Sequence, residues 1–281
     1  MPNEDNQPAP RSLNDEVRDI WNTNAVFWDD KMREGNDFHR LLVGPATERL
    51  LNLQPGETVL EIACGNGQLA RRLAELGATV LATDLSDRFI ERARARTGER
   101  PDLAGRIEFR VVDATDEAAL LALGEDRFDA VVCGMAIMDM VEIDPMLRAV
   151  TRLLKPDGRF VFTLLHPCFN HSAIRFSLEL EDAGGELVET HAVKVLKYRG
   201  IGTTKGLGMV GQPRPHFYFD RTLSALFGAC FGAGFVLEGL EEPAFEPGTA
   251  EVDHPFSWVN FPEIPPVLAA RLRRSPSRRD A

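Results

Sequence analysis

The sequence predicts a doubly wound α/β fold, with a seven-stranded, mostly parallel sheet and a lid inserted after the fifth strand. Three observations predict it. Apolar runs alternate with segments of helical spacing over residues 55–165, which is typical of a parallel sheet with right-handed crossovers. The first run breaks into a Gly-x-Gly turn at residues 65–67, where the chain turns from a buried strand into a helix. Residues 172–215 instead alternate polar and apolar side chains and are rich in glycine, so they are predicted to form the lid.

The segment before the first strand is predicted to hold a tail and helices. Residues 1–14 are polar and contain proline, which is typical of disorder. Residues 15–54 are predicted to be helical, and Pro45 suits the first turn of a helix that ends at Leu51. Aromatic residues in the first helix either help to close a functional site or only pack on the fold, and both interpretations stay open. These residues are Trp21, Phe27 and Trp28.

Five apolar runs supply the core strands. They span residues 59–62, 79–84, 107–113, 128–133 and 159–165. Ser86 or Asp87 can cap the helix after the second strand. Asp144 and Pro145 begin the helix after the fourth strand, and the turn at residues 155–158 ends it.

The rest of the chain, residues 216–281, is predicted to complete the same single domain. It holds a helix over residues 222–232, a sixth strand over 235–240 and a seventh over 267–272. The proline-rich residues 243–266 between these strands are predicted to be a loop within the domain, not a linker.

Composition narrows the class of partner. The chain has 32 Lys and Arg against 43 Asp and Glu, a net charge of −11. Phosphate contacts need basic surface, so a small-molecule partner is expected and a nucleic-acid substrate is not. The N-terminus has no apolar signal core and the chain has no long apolar run, so we expect a cytoplasmic protein with no membrane partner, either a monomer or a homodimer.

Acidic residues end the first three strands or lie within them, close to the glycine turn. Asp84 follows Gly65 by nineteen residues, a spacing at which a carboxylate accepts hydrogen bonds from ribose hydroxyls. Glu61 and Asp113 add two more carboxylates, and no basic residue is expected near the turn to meet a pyrophosphate. This arrangement favours a cofactor with a sulfonium and an α-amino group over a dinucleotide.

The series Glu61-x-x-Cys64-Gly65-Asn66-Gly67, followed by Asp84 and Asp113, resembles the class I S-adenosylmethionine (SAM)-dependent methyltransferases over residues 36–165. The resemblance implies a Rossmann-like sheet with an antiparallel seventh strand. It also implies that the glycine turn holds the methionine part of SAM, that the second acid binds ribose and that the third lies by the adenine amino group. The cofactor-binding residues it implies are Glu61, Ala63, Cys64, Gly65, Asn66, Gly67, Asp84, Leu85, Asp113, Ala114 and Cys133.

Methyl transfer to a hydroxyl also needs a group that removes the acceptor proton. His166, just after the fifth strand, is the first candidate base. His216, where the lid returns, and Asp139, after the fourth strand, are the second and third. Methionines close to Asp139 either line an acceptor pocket or fill the core; they are Met135, Met138 and Met140. No carboxylate and histidine set has metal-ligand spacing, so no metal is expected.

The predicted function is methyl transfer from SAM to a small-molecule acceptor. Two alternatives use the same glycine turn: an NAD-dependent oxidoreductase, and a non-catalytic SAM-binding protein. The sequence leaves open which molecule is the acceptor, whether oxygen, nitrogen or carbon is methylated, and whether a base is used at all.

Overall fold

The computed structural model describes residues 12–103, 105–250 and 254–275. The strands are β1 (Thr58–Ile62), β2 (Thr79–Asp84), β3 (Ile107–Val111), β4 (Phe128–Gly134), β5 (Leu154–Leu165), β6 (Ile174–Ala183), β7 (Glu186–Val195), β8 (Gly202–Gly206), β9 (His216–Asp220), β10 (Phe235–Glu241) and β11 (Val267–Arg274). The α-helices are α1 (Leu13–Met32), α2 (Gly44–Leu51), α3 (Gln68–Glu75), α4 (Asp87–Gly98), α5 (Glu117–Leu121), α6 (Asp144–Leu153) and α7 (Leu223–Gly232). A π-helical turn, His39–Val43, leads into α2, and 3₁₀ turns span Pro101–Leu103, Ile137–Asp139 and Trp258–Asn260.

Seven strands form the main sheet in the order β10-β11-β5-β4-β1-β2-β3. Strands β1 to β5 pair in parallel, and β11 pairs antiparallel with both β5 and β10. The predicted fold class is therefore confirmed. Strands β1 to β5 are mostly apolar because helices cover both faces of the sheet, and the two apolar layers so formed are the core.

Side-chain caps set the first residues of helices α1 and α4. Phe89 N–H donates to Ser86 Oγ at 3.1 Å, so Ser86 is the cap of α4. Helix α1 begins at Leu13, earlier than predicted, because Ser12 and Asp15 cap it reciprocally. The predicted tail over residues 1–14 was therefore too long; its first eleven residues lie outside the described residues.

The fifth strand also differs from its prediction. It begins at Leu154 instead of residue 159, and the predicted turn at residues 155–158 is an irregularity within it. Phe128 pairs with Leu154 and Ala130 pairs with Arg159, so extra residues bulge out of β5 between these two pairs. The turn residues in the sequence mark this bulge.

The insertion after β5 consists of two antiparallel pairs. Strands β6 and β7, of ten residues each, form a hairpin, and β8 pairs with β9. Among the described strands β9 pairs with β8 alone, so the insertion extends to Asp220, five residues beyond its predicted end, and the lid of the folded protein is residues 172–220. Within the described residues, every helix is too short or too polar to cross a bilayer.

Candidate active site

A cavity of about 1220 Å³ lies at the carboxyl ends of the parallel strands. Its floor is the loop after β1 together with the ends of β2, β3 and β4, and its walls come from α1 and the lid. Such an edge is where open α/β sheets bind ligands. The sequence-predicted cofactor residues on its lining are Glu61, Ala63, Cys64, Gly65, Asn66, Asp84, Leu85, Asp113 and Ala114.

Two members of that set do not line the cavity. Gly67 has φ 75°, and a Cβ added there would lie 2.9 Å from the Phe109 ring and 3.1 Å from Ala93 Cβ. Cys133 is fully buried in the core on β4. The expected contact of these residues with the cofactor is therefore not supported: Gly67 serves the close packing of α3 on its neighbours, and Cys133 is a small apolar residue.

Replacement of Gly67 by Ala is expected to lower the free energy of unfolding by about 1–3 kcal/mol, because the added methyl group overpacks the site and the backbone is left-handed there. Urea denaturation measures the change. Gly98→Ala is the control, since a Cβ at Gly98 meets open space, and it should leave stability within about 0.5 kcal/mol. Equal stabilities for the two variants would contradict the packing role.

Asp84 is held rigidly by backbone donors. Gly65 N–H donates to its Oδ2 and Ser86 N–H donates to its Oδ1, both at 2.8 Å. Burial raises the pKa of its carboxyl to about 6, although the two hydrogen bonds lower that pKa in part. Because each oxygen keeps a free lone pair, the carboxylate on the cavity floor can still accept hydrogen bonds from a ligand.

Glu61 brings a second buried carboxylate to the floor. Its Oε2 has no hydrogen-bond partner among the described residues. Burial raises the pKa of Glu61 to about 8, and the nearby Arg71 guanidinium lowers it only in part. A buried carboxylate oxygen without a partner, on the floor of a cavity, fits a cationic amino group.

Arg71 corrects the expectation that no basic residue lies near the glycine turn. Its buried guanidinium donates to Asn66 O at 2.8 Å and pairs with both carboxylate oxygens of Glu34 at 2.9 and 3.0 Å. Because all three of its guanidinium nitrogens already donate to these partners, Arg71 braces the turn. The sequence did not predict it because the side chain folds back from α3 onto the preceding loop.

Asp113, the third acid, is covered by the first turns of α1. Its carboxylate accepts from Thr115 N–H at 2.9 Å and from the Arg18 guanidinium at 3.2 Å, and Asn14 Nδ2 also donates to it. Helix α1 therefore closes this end of the cavity. Of the three α1 aromatics, Trp21 and Trp28 line the cavity.

Asp139 and His216 meet on the lid side of the cavity. His216 Nε2 lies 3.7 Å from Asp139 Oδ1, and that oxygen has no hydrogen-bond partner among the described residues. Burial raises the pKa of Asp139 well above its ordinary value and lowers that of His216 to about 4. Since burial disfavours both charges, the imidazole is neutral near pH 7.

Aromatic rings surround this pair. The His216 ring centroid lies 4.7 Å from Trp21, 6.1 Å from Trp28 and 4.4 Å from Tyr218, and all four side chains line the cavity. Arg221 ties β9 to the segment that carries Asp139, donating to Ile137 O at 3.0 Å and to Met140 O at 2.8 Å. The two halves of the pair are thereby fixed relative to each other.

The methionines fit both interpretations that the sequence left open. Met135, Met138 and Met140 all line the cavity. Met138 and Met140 also pack in the main apolar core, while Met135 packs in a smaller cluster that includes Leu42 and Val43 of the π-helical turn. Met135 has φ 53° and Ala63 has φ 58°, so two non-glycine residues with left-handed backbone flank the cavity floor.

His166 does not line the cavity, contrary to the expectation that it overlooks the reacting group. Its ring is 1% exposed; Nδ1 accepts from Cys168 N–H at 3.1 Å and Nε2 lies 2.8 Å from Glu242 Oε1. Leu165 faces the cavity, and side chains alternate along an extended chain, so the next residue faces away. Both ring nitrogens are engaged, which suits a structural role.

Within the described residues, no group of three or more histidine, cysteine or acidic side chains is placed to hold a metal ion.

Comparisons with known proteins agree with this geometry. Residues 60–162 match the family described as a methyltransferase domain. A demethylmenaquinone methyltransferase of Clavibacter sepedonicus is 39% identical over 118 residues, 41% of this chain and 44% of that protein. A ubiquinone biosynthesis O-methyltransferase of Xanthomonas campestris pv. campestris is 35% identical over 133 residues, 46% of this chain and 50% of that protein. The chain thus spans about half the length of these relatives.

The solved structure of an S-adenosylmethionine-dependent methyltransferase from Mesorhizobium loti extends the likeness beyond the matched segment. It is 27% identical, with a TM-score of 0.63, and the alignment covers 82% of this chain and 96% of that one. The strand order of the sheet and the acidic residues on the cavity floor are consistent with these similarities. Residues 60–162 of this chain are thus similar to a methyltransferase domain, and most of the chain has the fold of a class I S-adenosylmethionine-dependent methyltransferase.

Proposed function

We propose that the protein transfers a methyl group from SAM to a hydroxyl oxygen of a small aromatic acceptor. The observation that carries this proposal is Asp139 Oδ1, a buried carboxylate oxygen without a partner among the described residues, in the cavity that also holds the three predicted cofactor acids. It lies 3.7 Å from His216 Nε2, so one acceptor hydroxyl can contact both groups.

The floor of the cavity suits SAM. Asp84 would accept from the ribose hydroxyls, Asp113 would lie by the adenine, and Glu61 with the Gly65 turn would hold the methionine part. When bound, SAM supplies a methyl group on a sulfonium, a carbon that already carries a strong leaving group. The unpartnered oxygen of Glu61 is the observation in favour of this fit, because a cationic α-amino group would satisfy it.

The lid side of the cavity suits a planar acceptor. Rings from Trp21, Trp28 and Tyr218 stand around His216, and aromatic faces prefer to stack on planar apolar molecules. The relatives that match the cofactor half include a demethylmenaquinone methyltransferase and a ubiquinone biosynthesis O-methyltransferase. Their names support a quinone-like or phenolic ring, and the second supports oxygen as the methylated atom.

Asp139 is the proposed general base, and this assignment replaces His166. The acceptor hydroxyl donates to Asp139 Oδ1, which takes the proton, while His216 orients the oxygen. Because burial raises the pKa of Asp139, its carboxylate is a stronger base than an exposed aspartate. The rate should therefore fall with acid at a pH well above 3.8, as Asp139 becomes protonated.

Asp84→Ala is expected to weaken SAM binding by about ten-fold or more, since a hydrogen bond to a charged group contributes roughly 1.5–3 kcal/mol. Isothermal calorimetry measures the affinity. A dissociation constant within about two-fold of the parent value would remove Asp84 from the ribose site.

SAM binding near pH 7 is expected to release a proton from Glu61. The pKa of its carboxyl is about 8 in the free protein, so it is largely protonated, and a cationic partner lowers that pKa. Calorimetry in buffers of different ionisation enthalpy counts the protons. Glu61→Gln should abolish the buffer dependence; an unchanged dependence in this variant would place the proton elsewhere.

One experiment separates the proposal from its two alternatives. The purified protein is titrated with SAM and with NAD, and S-adenosylhomocysteine formation is then followed across a panel of phenols, catechols and hydroquinones. We expect binding of SAM but not NAD, and turnover with at least one acceptor. Binding of NAD alone would indicate an oxidoreductase, and SAM binding without turnover would favour a non-catalytic protein.

A further inference from the structure

Gln212, in the lid, lies at the centre of a buried hydrogen-bond network next to His216. Its Oε1 is 3.1 Å from Trp28 Nε1 and 3.1 Å from the backbone nitrogen of Gly208. Its Nε2 is 2.5 Å from Arg214 O and 3.0 Å from His216 Nδ1. All four hydrogen-bonding positions of the amide are thus filled.

The partners settle which way the amide points. The indole N–H of Trp28 and the backbone N–H of Gly208 can only donate, so the atom that faces them must be the oxygen. The carbonyl of Arg214 can only accept, so the amide NH₂ group faces it. If the amide were flipped, its NH₂ group would face the N–H groups of Trp28 and Gly208, and its oxygen would face the carbonyl oxygen of Arg214, so none of these contacts would be a hydrogen bond.

The orientation of Gln212 in turn sets the tautomer of His216. The amide NH₂ group faces Nδ1, which must offer its lone pair to accept this hydrogen bond. A neutral imidazole carries one ring proton, which is therefore on Nε2. That nitrogen points toward Asp139 Oδ1 at 3.7 Å.

We infer that Gln212 is a positioning residue, which holds His216 as the neutral Nε2–H tautomer so that this N–H and Asp139 Oδ1 together receive the acceptor hydroxyl. The tautomer follows from the network alone, whereas the part that concerns the acceptor rests on the proposed function. In the Nδ1–H tautomer and in the imidazolium, Nδ1 carries a proton that faces the NH₂ group of Gln212, so two donors meet. The Nδ1–H tautomer also turns the lone pair of Nε2 toward the Asp139 carboxylate. Gln212 therefore disfavours both of these forms of His216.

Helix α1 anchors the network. The side chain of Asn24, fully buried, donates to Arg214 O at 2.8 Å and accepts from Arg214 N–H at 3.0 Å. Arg214 O is therefore held in place for the Gln212 amide, and Trp28 on the same helix fixes the amide oxygen. The tautomer of His216 thus depends on contacts between α1 and the lid that are formed before any acceptor binds.

The direct test is nuclear magnetic resonance of the ring nitrogens in protein labelled with ¹⁵N-histidine. The chain has six histidines, and loss of one spin system in His216→Asn assigns its signals. We expect Nε2 protonated and Nδ1 unprotonated in the parent near pH 7. A parent with the proton on Nδ1, or with both nitrogens protonated, would overturn the inference.

Two variants sharpen the test. Gln212→Glu places an acceptor where the NH₂ group was, so the ring proton of His216 should move to Nδ1.

Trp28→Phe is the matched control. It removes one partner of the Gln212 amide oxygen but keeps the contacts of Gln212 with Gly208 and Arg214, so the Nε2–H tautomer of His216 should persist. Ring signals in Gln212→Glu identical to those of the parent would contradict the role of Gln212. If that variant does not fold, Gln212→Met should give a mixture of tautomers, and a pure Nε2–H signal would count against the inference.

Kinetics test whether Gln212 also positions His216 for methyl transfer to the acceptor. Gln212→Glu should lower kcat by ten-fold or more and leave the KM for SAM within two-fold. A moved proton with an unchanged kcat would refute the positioning role in catalysis. Absence of methyl transfer by the parent would instead refute the proposed function, and the nitrogen signals would still decide whether Gln212 sets the tautomer.

Discussion

The Asp139→Asn variant is expected to lose methyl-transfer rate by roughly a hundred-fold or more, because an amide cannot take the acceptor proton. The substitution keeps the shape of the side chain and removes a buried carboxyl group whose pKa is raised by burial. SAM affinity should stay within about two-fold, since Asp139 lies on the lid side of the cavity. Single-turnover kinetics over a range of pH give the rate of the chemical step, and the acidic limb of the profile should vanish.

His166→Gln is the control for that experiment. Its ring is engaged by Cys168 and Glu242 outside the cavity lining, so the variant should keep both the rate of the chemical step and the acidic limb, at some cost in stability. If His166→Gln lost the limb and Asp139→Asn retained it, the two assignments would have to be exchanged.

Replacement of residues 172–215 by a short Gly-Ser loop is expected to abolish acceptor methylation and leave SAM binding largely intact. The segment contributes Phe176, Leu207 and Met209 to the cavity and holds Gln212 beside His216, whereas the predicted cofactor acids lie in strands of the sheet or directly after one. SAM affinity by calorimetry and product formation by mass spectrometry measure the two effects separately.

A shortened hairpin provides the matched control. Residues 179–190 are all exposed, and a two-residue turn in their place keeps the pairing of Leu178 with His191. This variant should methylate at the parent rate. Loss of SAM affinity in the full replacement, with the sheet still folded, would show that the lid also holds the cofactor.

The acids of the cavity floor could be predicted from the sequence because local chain order fixes them. Asp84 ends a strand whose direction follows from the alternation of strands and helices. The same alternation predicted the helices between the central strands and the parallel pairing of those strands. Gly67 was misassigned because a glycine needed for close packing and one needed for ligand approach leave the same signal in sequence.

The acceptor side could not be predicted with the same success, because it depends on side-chain direction and on contacts between distant segments. His166 is adjacent to the cavity in sequence and faces away from it. Asp139 and His216 were named separately, but no local pattern indicates that β9 brings them within 3.7 Å of each other. Gln212 gave no signal at all, since a lone glutamine in a glycine-rich segment resembles any surface residue.

Mass spectrometry of the product formed from SAM with a trideuterated methyl group shows whether the protein methylates an acceptor oxygen. With an aromatic hydroxyl acceptor from the panel, we expect a product in which the intact labelled methyl group is bound to the acceptor oxygen, formed by the parent and much more slowly by Asp139→Asn. A labelled methyl group on carbon or nitrogen, or equal rates for the two proteins, would contradict this expectation.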